Sequence, residues 1–146
     1  IPRLVEVCTE IVENRGLDVV GVYRVPGNSA AITALTNSVN INYEGVPQLD
    51  AHWNDVHVVS SLLKSFFRKL PDALLTSNLY SNFIEADKIK DPTLRMEEIR
   101  KLVCCLPLHH YHTLKHLMLH LKKVTNNCKV NKMEGRNLAI VFGPTL

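Results

Sequence analysis

The stretch Asp55-Val56-His57-Val58-Val59-Ser60-Ser61-Leu62-Leu63-Lys64-Ser65-Phe66-Phe67-Arg68-Lys69-Leu70-Pro71 decides the fold class. Asp55 is a good helix N-cap and Pro71 a stop, so the spacing predicts a helix over 56–70. Leu62, Leu63, Phe66, Phe67 and Leu70 fall on one arc of it, which is the period of an amphipathic helix and not of a strand. Lys64 and Arg68 stand four residues apart, on one stripe opposite or flanking that arc. Like charges at this spacing cost an isolated helix about 0.2–0.5 kcal/mol. Such a break with local rules fits a cationic stripe that meets an acidic partner, and it equally fits an ordinary solvated face.

The helical period recurs on both sides of this stretch. Pro2 opens a helix carrying Leu4, Val7, Cys8 and Ile11, and Gly16 ends it. Asn28 or Ser29 caps a second, with Ile32, Leu35 and Val39 inward. Residues 40–53 read as a connector broken by Gly45 and Pro47 and anchored by Trp53. Beyond Pro71, Thr76 or Ser77 starts a helix with Tyr80, Phe83 and Ile84 inward. Asp91-Pro92 caps one that buries Leu94, Ile99, Leu102 and Val103, and the next carries Leu114, Leu117, Met118, Leu121 and Val124 on one face. Asn131 and Glu134 resemble a capping box for a last helix over 132–141, closed by Gly143-Pro144. No strand pattern or internal repeat appears. The expectation is one all-α domain over residues 1–146, a bundle of about seven helices.

Composition narrows the function. The chain has 146 residues, 46% hydrophobic and 21% charged, enough for one domain with its own core. No apolar run reaches membrane-spanning length and no signal peptide is visible. The net charge of +3 comes from scattered Lys and Arg, which argues against a dedicated nucleic-acid binder. Cys8, Cys104, Cys105 and Cys128 form no C-x-x-C pair, so a reducing, cytoplasmic compartment is expected, without a disulfide framework or zinc site. The chain starts at Ile1 and stops at Leu146 in mid-pattern; it reads as a fragment truncated at both ends.

Two further stretches carry chemistry. Gly21-Val22-Tyr23-Arg24-Val25-Pro26-Gly27-Asn28 places one charge among apolar neighbours. Gly21 and Gly27 permit unusual backbone angles, Pro26 stiffens the loop, and Val22, Tyr23 and Val25 are suited to pin it. An arginine on a stiff loop offers a planar, always-charged fork for a phosphate, or it caps a helix or pairs with a carboxylate. In Asn131–Leu146, the polar Asn137 sits among Leu138, Ala139, Val141 and Phe142. Its amide must find partners, either in a loop backbone or across an interface.

Taken together, these pieces resemble the GTPase-activating domain of the Rho-family GAPs over nearly the whole chain and in the family's order. The residues that carry the resemblance are Gly21–Gly27, Leu63–Leu74, Thr113–Leu121 and Asn131–Leu146. The wording around Tyr23, Ser60–Lys69 and His109-His110-Tyr111 is similar to large members that also carry PDZ and pleckstrin-homology modules. The resemblance implies that Arg24 is an arginine finger entering a partner's active site. It implies that Lys64 and Arg68 hold the finger loop and face the GTPase, and that Asn137 contacts the partner's switch region. The implied partner is a Rho-family small GTPase (Rho, Rac or Cdc-type) in its GTP form, which brings the GTP and Mg²⁺. The domain itself would need no cofactor and have no independent enzymatic activity, and recruitment to membranes would fall to domains outside this stretch. Two positions depart from the family pattern. Ala73 replaces a proline, which is expected to loosen the turn after the basic helix, and His110 stands where many members have Asn.

Three other readings compete. A GAP-like domain that only binds small GTPases would keep the surface and lose the rate effect. His112, His116 and His120 form an i, i+4, i+8 stripe, expected opposite the Leu114–Val124 face, which could chelate zinc or simply be solvated. A self-contained hydrolase lacks any nucleophile elbow or metal-protease motif.

Overall fold

The computed structural model describes residues 1–41 and 51–146. The middle of the expected connector therefore lies outside the described residues. Its end is a 3-10 turn, Ala51–Asn54, with Trp53 buried as the expected anchor. Among the described residues there are eight α-helices and no strand: α1 Arg3–Arg15, α2 Ser29–Ile41, α3 Val56–Arg68, α4 Tyr80–Asp87, α5 Pro92–Cys104, α6 Leu108–Asn126, α7 Cys128–Asn131 and α8 Gly135–Phe142. None is long and apolar enough to cross a membrane.

The core lies where α1, α3 and α6 meet, closed by α8. Leu4, Val5, Cys8 and Val12 of α1 face Val58, Val59, Leu62, Leu63 and Phe67 of α3. Leu114, Leu117, Leu121 and Val124 of α6 and Leu138 and Phe142 of α8 complete it. Each such side chain contributes about 1.5–3 kcal/mol of apolar burial. Caps fall where the sequence puts them: Asp55 Oδ1 accepts from His57 N at 2.9 Å, Asn28 Oδ1 from Ala31 N at 3.0 Å, and Asp91 Oδ1 from Thr93 N at 2.8 Å.

Several expectations need correction. An additional short helix, α7, occupies a stretch to which the sequence reading assigned no element. Lys132 ends it in the left-handed region at φ 65°, so the last helix starts at Gly135 rather than at 132. Its capping box pairs Glu134 with Asn137, not Asn131 with Glu134. The basic helix ends at Arg68, two residues short of Leu70, because the residue before a proline is pushed out of helical geometry. Helix α4 starts at Tyr80, since Thr76 takes φ 64° and Ser77 N donates to Asp72 Oδ1 instead of opening a helix. Tyr80 and Ile84, expected inward, are exposed, as are Leu94 and Met118. Helices α4 and α5 pack chiefly against each other, and Tyr80 and Ile84 border an open cleft with Leu75, Pro144 and Leu146 instead of entering the core. The turn holding Ala73 is closed despite the missing proline: Thr76 N donates to Ala73 O at 2.9 Å, and His110 Nδ1 to Leu74 O at 2.9 Å.

Candidate functional site

The loop between α1 and α2 is tied down at both ends and in its middle. At the first end Gly21 has φ 75°, and its N–H donates to Asn131 O at 2.8 Å. Glycine is required there, because a Cβ would stand 2.6 Å from Val25 Cγ2 in a conformation other residues avoid. At the other end Gly27 N–H donates to Ser61 Oγ at 3.0 Å. Gly27 needs no unusual φ, contrary to the sequence expectation. It needs to be small, because a Cβ would stand 2.7 Å from the backbone N and Cα of Val58. The loop thus lies flat on the first turn of α3.

Tyr23 holds the middle. It is fully buried, with its ring edge-on to Phe142 at 5.0 Å between centroids. Its backbone is left-handed at φ 70°, which costs a residue with a Cβ about 1–2 kcal/mol. Lys64 Nζ donates to the Tyr23 carbonyl at 2.6 Å, and the Tyr23 hydroxyl is hydrogen-bonded to His120 Nε2. Burial lowers the Lys64 pKa, and the neighbouring Arg68 charge lowers it further. Lys64 and Arg68 therefore share one side of α3, Lys64 half-buried under the loop and Arg68 exposed.

Arg24 follows directly and is exposed. Its N–H and that of Val25 both donate to Gly21 O at 2.8 Å. The guanidinium arm lies back over its own loop, with Nη2 3.4 Å from where a Gly21 Cβ would be. Val22 and Tyr23 pin the loop as expected; Val25 does not, being exposed. The structure thus places Lys64 against the residue that precedes Arg24, and Arg68 beside Lys64. Asn137 is on α8, the helix whose Phe142 supports Tyr23. It is half-buried, and its Oδ1 accepts the Glu134 N–H at 3.0 Å. That is the structural reading of its acceptor, while no described residue takes its Nδ2 hydrogens.

Three supports escaped sequence reasoning. Asn131 is fully buried; its Nδ2 donates to Leu17 O and Val124 O, and its Oδ1 accepts from Met133 N, so its carbonyl is fixed for Gly21. The sequence reading took it as a helix cap. Ser61 and the Glu13–His120 pair left no local signal. The histidine stripe also needs correcting, since His116 and His120 turn inward against α1 while His112 stays exposed. His116 Nε2 meets Thr9 Oγ1 at 2.8 Å, and His120 is buried with Nδ1 at 2.9 Å from Glu13 Oε1. Lys123 Nζ donates to the other Glu13 oxygen at 2.9 Å. Burial works against the Glu13 charge, but the bonds from Lys123 and His120 outweigh it and hold its pKa below the usual value. Burial also lowers the His120 pKa and raises that of Tyr23, leaving both neutral near pH 7.

A loop pinned by buried contacts on either side of a single exposed guanidinium, beside a basic helix, is suited to entering an anionic site on another molecule. Comparison with known proteins points the same way. The family model described as the RhoGAP domain matches residues 2–146. Rho GTPase-activating protein 21-A of Xenopus laevis is 53% identical over all 146 residues, which make up 8% of that protein. Rho GTPase-activating protein 23 of Mus musculus is 50% identical over the same span, 10% of its length. The crystal structure of human Rho GTPase activating protein 15 superposes with a TM-score of 0.92 at 43% identity, covering 98% of this chain and 67% of that one. The chain therefore spans about a tenth of the curated relatives named here.

Proposed function

Because the chain belongs to the RhoGAP family, we propose that it accelerates GTP hydrolysis by a Rho-family small GTPase, with Arg24 entering the partner's active site. The observation that carries this is the contrast within one loop: Val22 and Tyr23 are buried and fixed, while Arg24 is exposed. GTP, Mg²⁺ and the residue that orients the attacking water come with the partner.

Arg24 supplies a charge where the β–γ bridge and γ-phosphate oxygens become more negative. Such fingers raise rates by about 10³–10⁵, or roughly 4–7 kcal/mol of transition-state stabilisation. Lys64 sets the loop from beneath, and Arg68 faces the partner beside it. Asn137 contributes its amide N–H groups to the switch region. The setting is cytoplasmic, and the partner is bound in its GTP form.

Single-turnover hydrolysis by GTP-loaded Rho, Rac and Cdc-type GTPases tests this. The wild-type chain is expected to accelerate at least one of them. Arg24→Ala is expected to remove about 10³-fold or more of that acceleration while part of the affinity survives through Lys64, Arg68 and Asn137. Arg24→Lys is expected to be nearly as severe, because an ammonium lacks the planar fork. Undiminished acceleration by Arg24→Ala refutes the finger; binding by the wild type without acceleration marks a binding module instead.

A further inference from the structure

We propose that His120 is a positioning residue for Arg24, acting through Tyr23. This rests on the GTPase-activating reading above. Tyr23 precedes the finger directly and adopts a backbone conformation that side chains rarely hold unaided. It is gripped at opposite ends, its carbonyl by Lys64 Nζ and its hydroxyl by His120 Nε2. The carbonyl belongs to the peptide that joins Tyr23 to Arg24. Fixing that carbonyl and the ring together fixes the plane of this peptide, and so the direction in which the Arg24 side chain leaves the loop. His120 lies 97 residues away in sequence and is fully buried, so its influence on any docked partner runs through Tyr23, by this hydroxyl and by the edge-on contact of the two rings at 5.7 Å.

The hydrogen-bond chain has a direction. The Glu13 carboxylate accepts from Lys123 Nζ and from His120 Nδ1. Nδ1 therefore carries the ring proton, and Nε2 is left as the acceptor for the Tyr23 O–H. The charged and titratable groups around the ring are Glu13 of α1, Tyr23 of the loop, and His116 and Lys123 of α6, with Cys8 of α1 beside Tyr23. Glu13 favours the protonated ring, while burial and the His116 and Lys123 charges oppose it and prevail. A proton added at Nε2 turns that acceptor into a donor. The Tyr23 hydroxyl must then accept from Nε2–H instead of donating to it, and its own hydrogen is left without a partner inside the core, which weakens this anchor of the finger.

The test uses the 146-residue chain and whichever GTPase of the panel the wild type accelerates most. Tyr23→Phe keeps the ring against Phe142 and removes only the hydroxyl. Its maximal single-turnover rate is expected to fall about 10- to 100-fold, as for small misplacements of a catalytic group. The half-saturating concentration is expected to stay within about threefold, the split that marks a transition-state effect. His120→Gln keeps an acceptor for the hydroxyl but cannot titrate. It is expected to retain most of the acceleration and to lack the acid-side decline expected of the wild type below about pH 6.5. Circular dichroism at each pH establishes that the variants are folded; if His120→Gln is not, the Tyr23→Phe result decides alone. A Tyr23→Phe chain with the full maximal rate overturns the proposal, as does a folded His120→Gln with the wild-type acid limb. A wild type that accelerates no GTPase overturns the underlying reading and this proposal with it.

Discussion

Lys64 carries a charge and a structural hydrogen bond on the same nitrogen. Its Nζ is 2.6 Å from the Tyr23 carbonyl, half-buried beneath the loop, with the Arg68 charge nearby. A lysine suits this place because the target is a single oxygen, and the compact ammonium on a flexible stem reaches it without a second acceptor. Lys64→Met keeps the stem and removes the bond. Bonds to charged groups contribute about 1.5–3 kcal/mol, and the half-open site puts this one near the low end. The variant is expected to melt roughly 3–6 °C lower and to reach a maximal rate at least about tenfold below wild type, measured by thermal denaturation and single-turnover hydrolysis. Lys64→Arg is expected to restore the melting temperature only in part, since its fork has one acceptor to satisfy and more bulk to place. An unaltered melting temperature in Lys64→Met would show that the Tyr23 carbonyl has no need of this partner.

Between elements, the decisive contact is the loop lying on the first turn of α3. Gly27→Ala would bring a Cβ to 2.7 Å from the Val58 backbone, which cannot turn aside as a side chain can. The loop must lift, losing the Gly27–Ser61 bond; overpacking of this kind costs about 1–3 kcal/mol. Melting temperature and maximal rate are expected to fall together, and a change in only one of them would contradict a rigid seat. This contact also shows how far the sequence could be read. The loop, its exposed arginine and the Lys64–Arg68 stripe were legible because each lies within a few residues of chain and follows helical period or turn chemistry. Seven of the eight helices were legible for the same reason. The left-handed Tyr23 was not, since nothing local favours it over an ordinary tyrosine. Period alone also misread α4 and α5. It marks an apolar face, as at Tyr80, Ile84 and Leu94, but not whether another element covers it. On α6 the reverse happened: His116 and His120 were read as outward because they are polar, yet α1 supplies Thr9 and Glu13 to receive them.

At the scale of the whole molecule, the Glu13–His120–Tyr23 chain ties α1, α6 and the Arg24 loop across 107 and 97 residues of sequence. Separations of that size leave no trace in a local pattern. They do leave one in the dependence of stability on pH. His120 titrates below its ordinary 6.5 in the folded chain, mainly because it is buried, so between the two values the unfolded chain binds more protons. Its contribution is therefore complete above about pH 6.5 and is lost as pH falls through the lowered folded value. Glu13, also lowered, adds a similar loss below its ordinary 4.5. Urea denaturation is expected to show stability level between pH 7.5 and about pH 6.5 and declining below it, with a shallower slope for His120→Gln; equal slopes would mean that another group sets the dependence. The flat seating of the loop has one more consequence, for proteases. An exposed arginine followed by valine invites trypsin, and surface loop tips are where nicks ordinarily begin. Cleavage, however, needs several residues drawn out as an extended strand, and here the main chain is fastened at Gly21, Tyr23 and Gly27. The Arg24–Val25 peptide bond should therefore outlast less tethered basic sites in a limited digest, and be cut only when the loop detaches from the body beneath it.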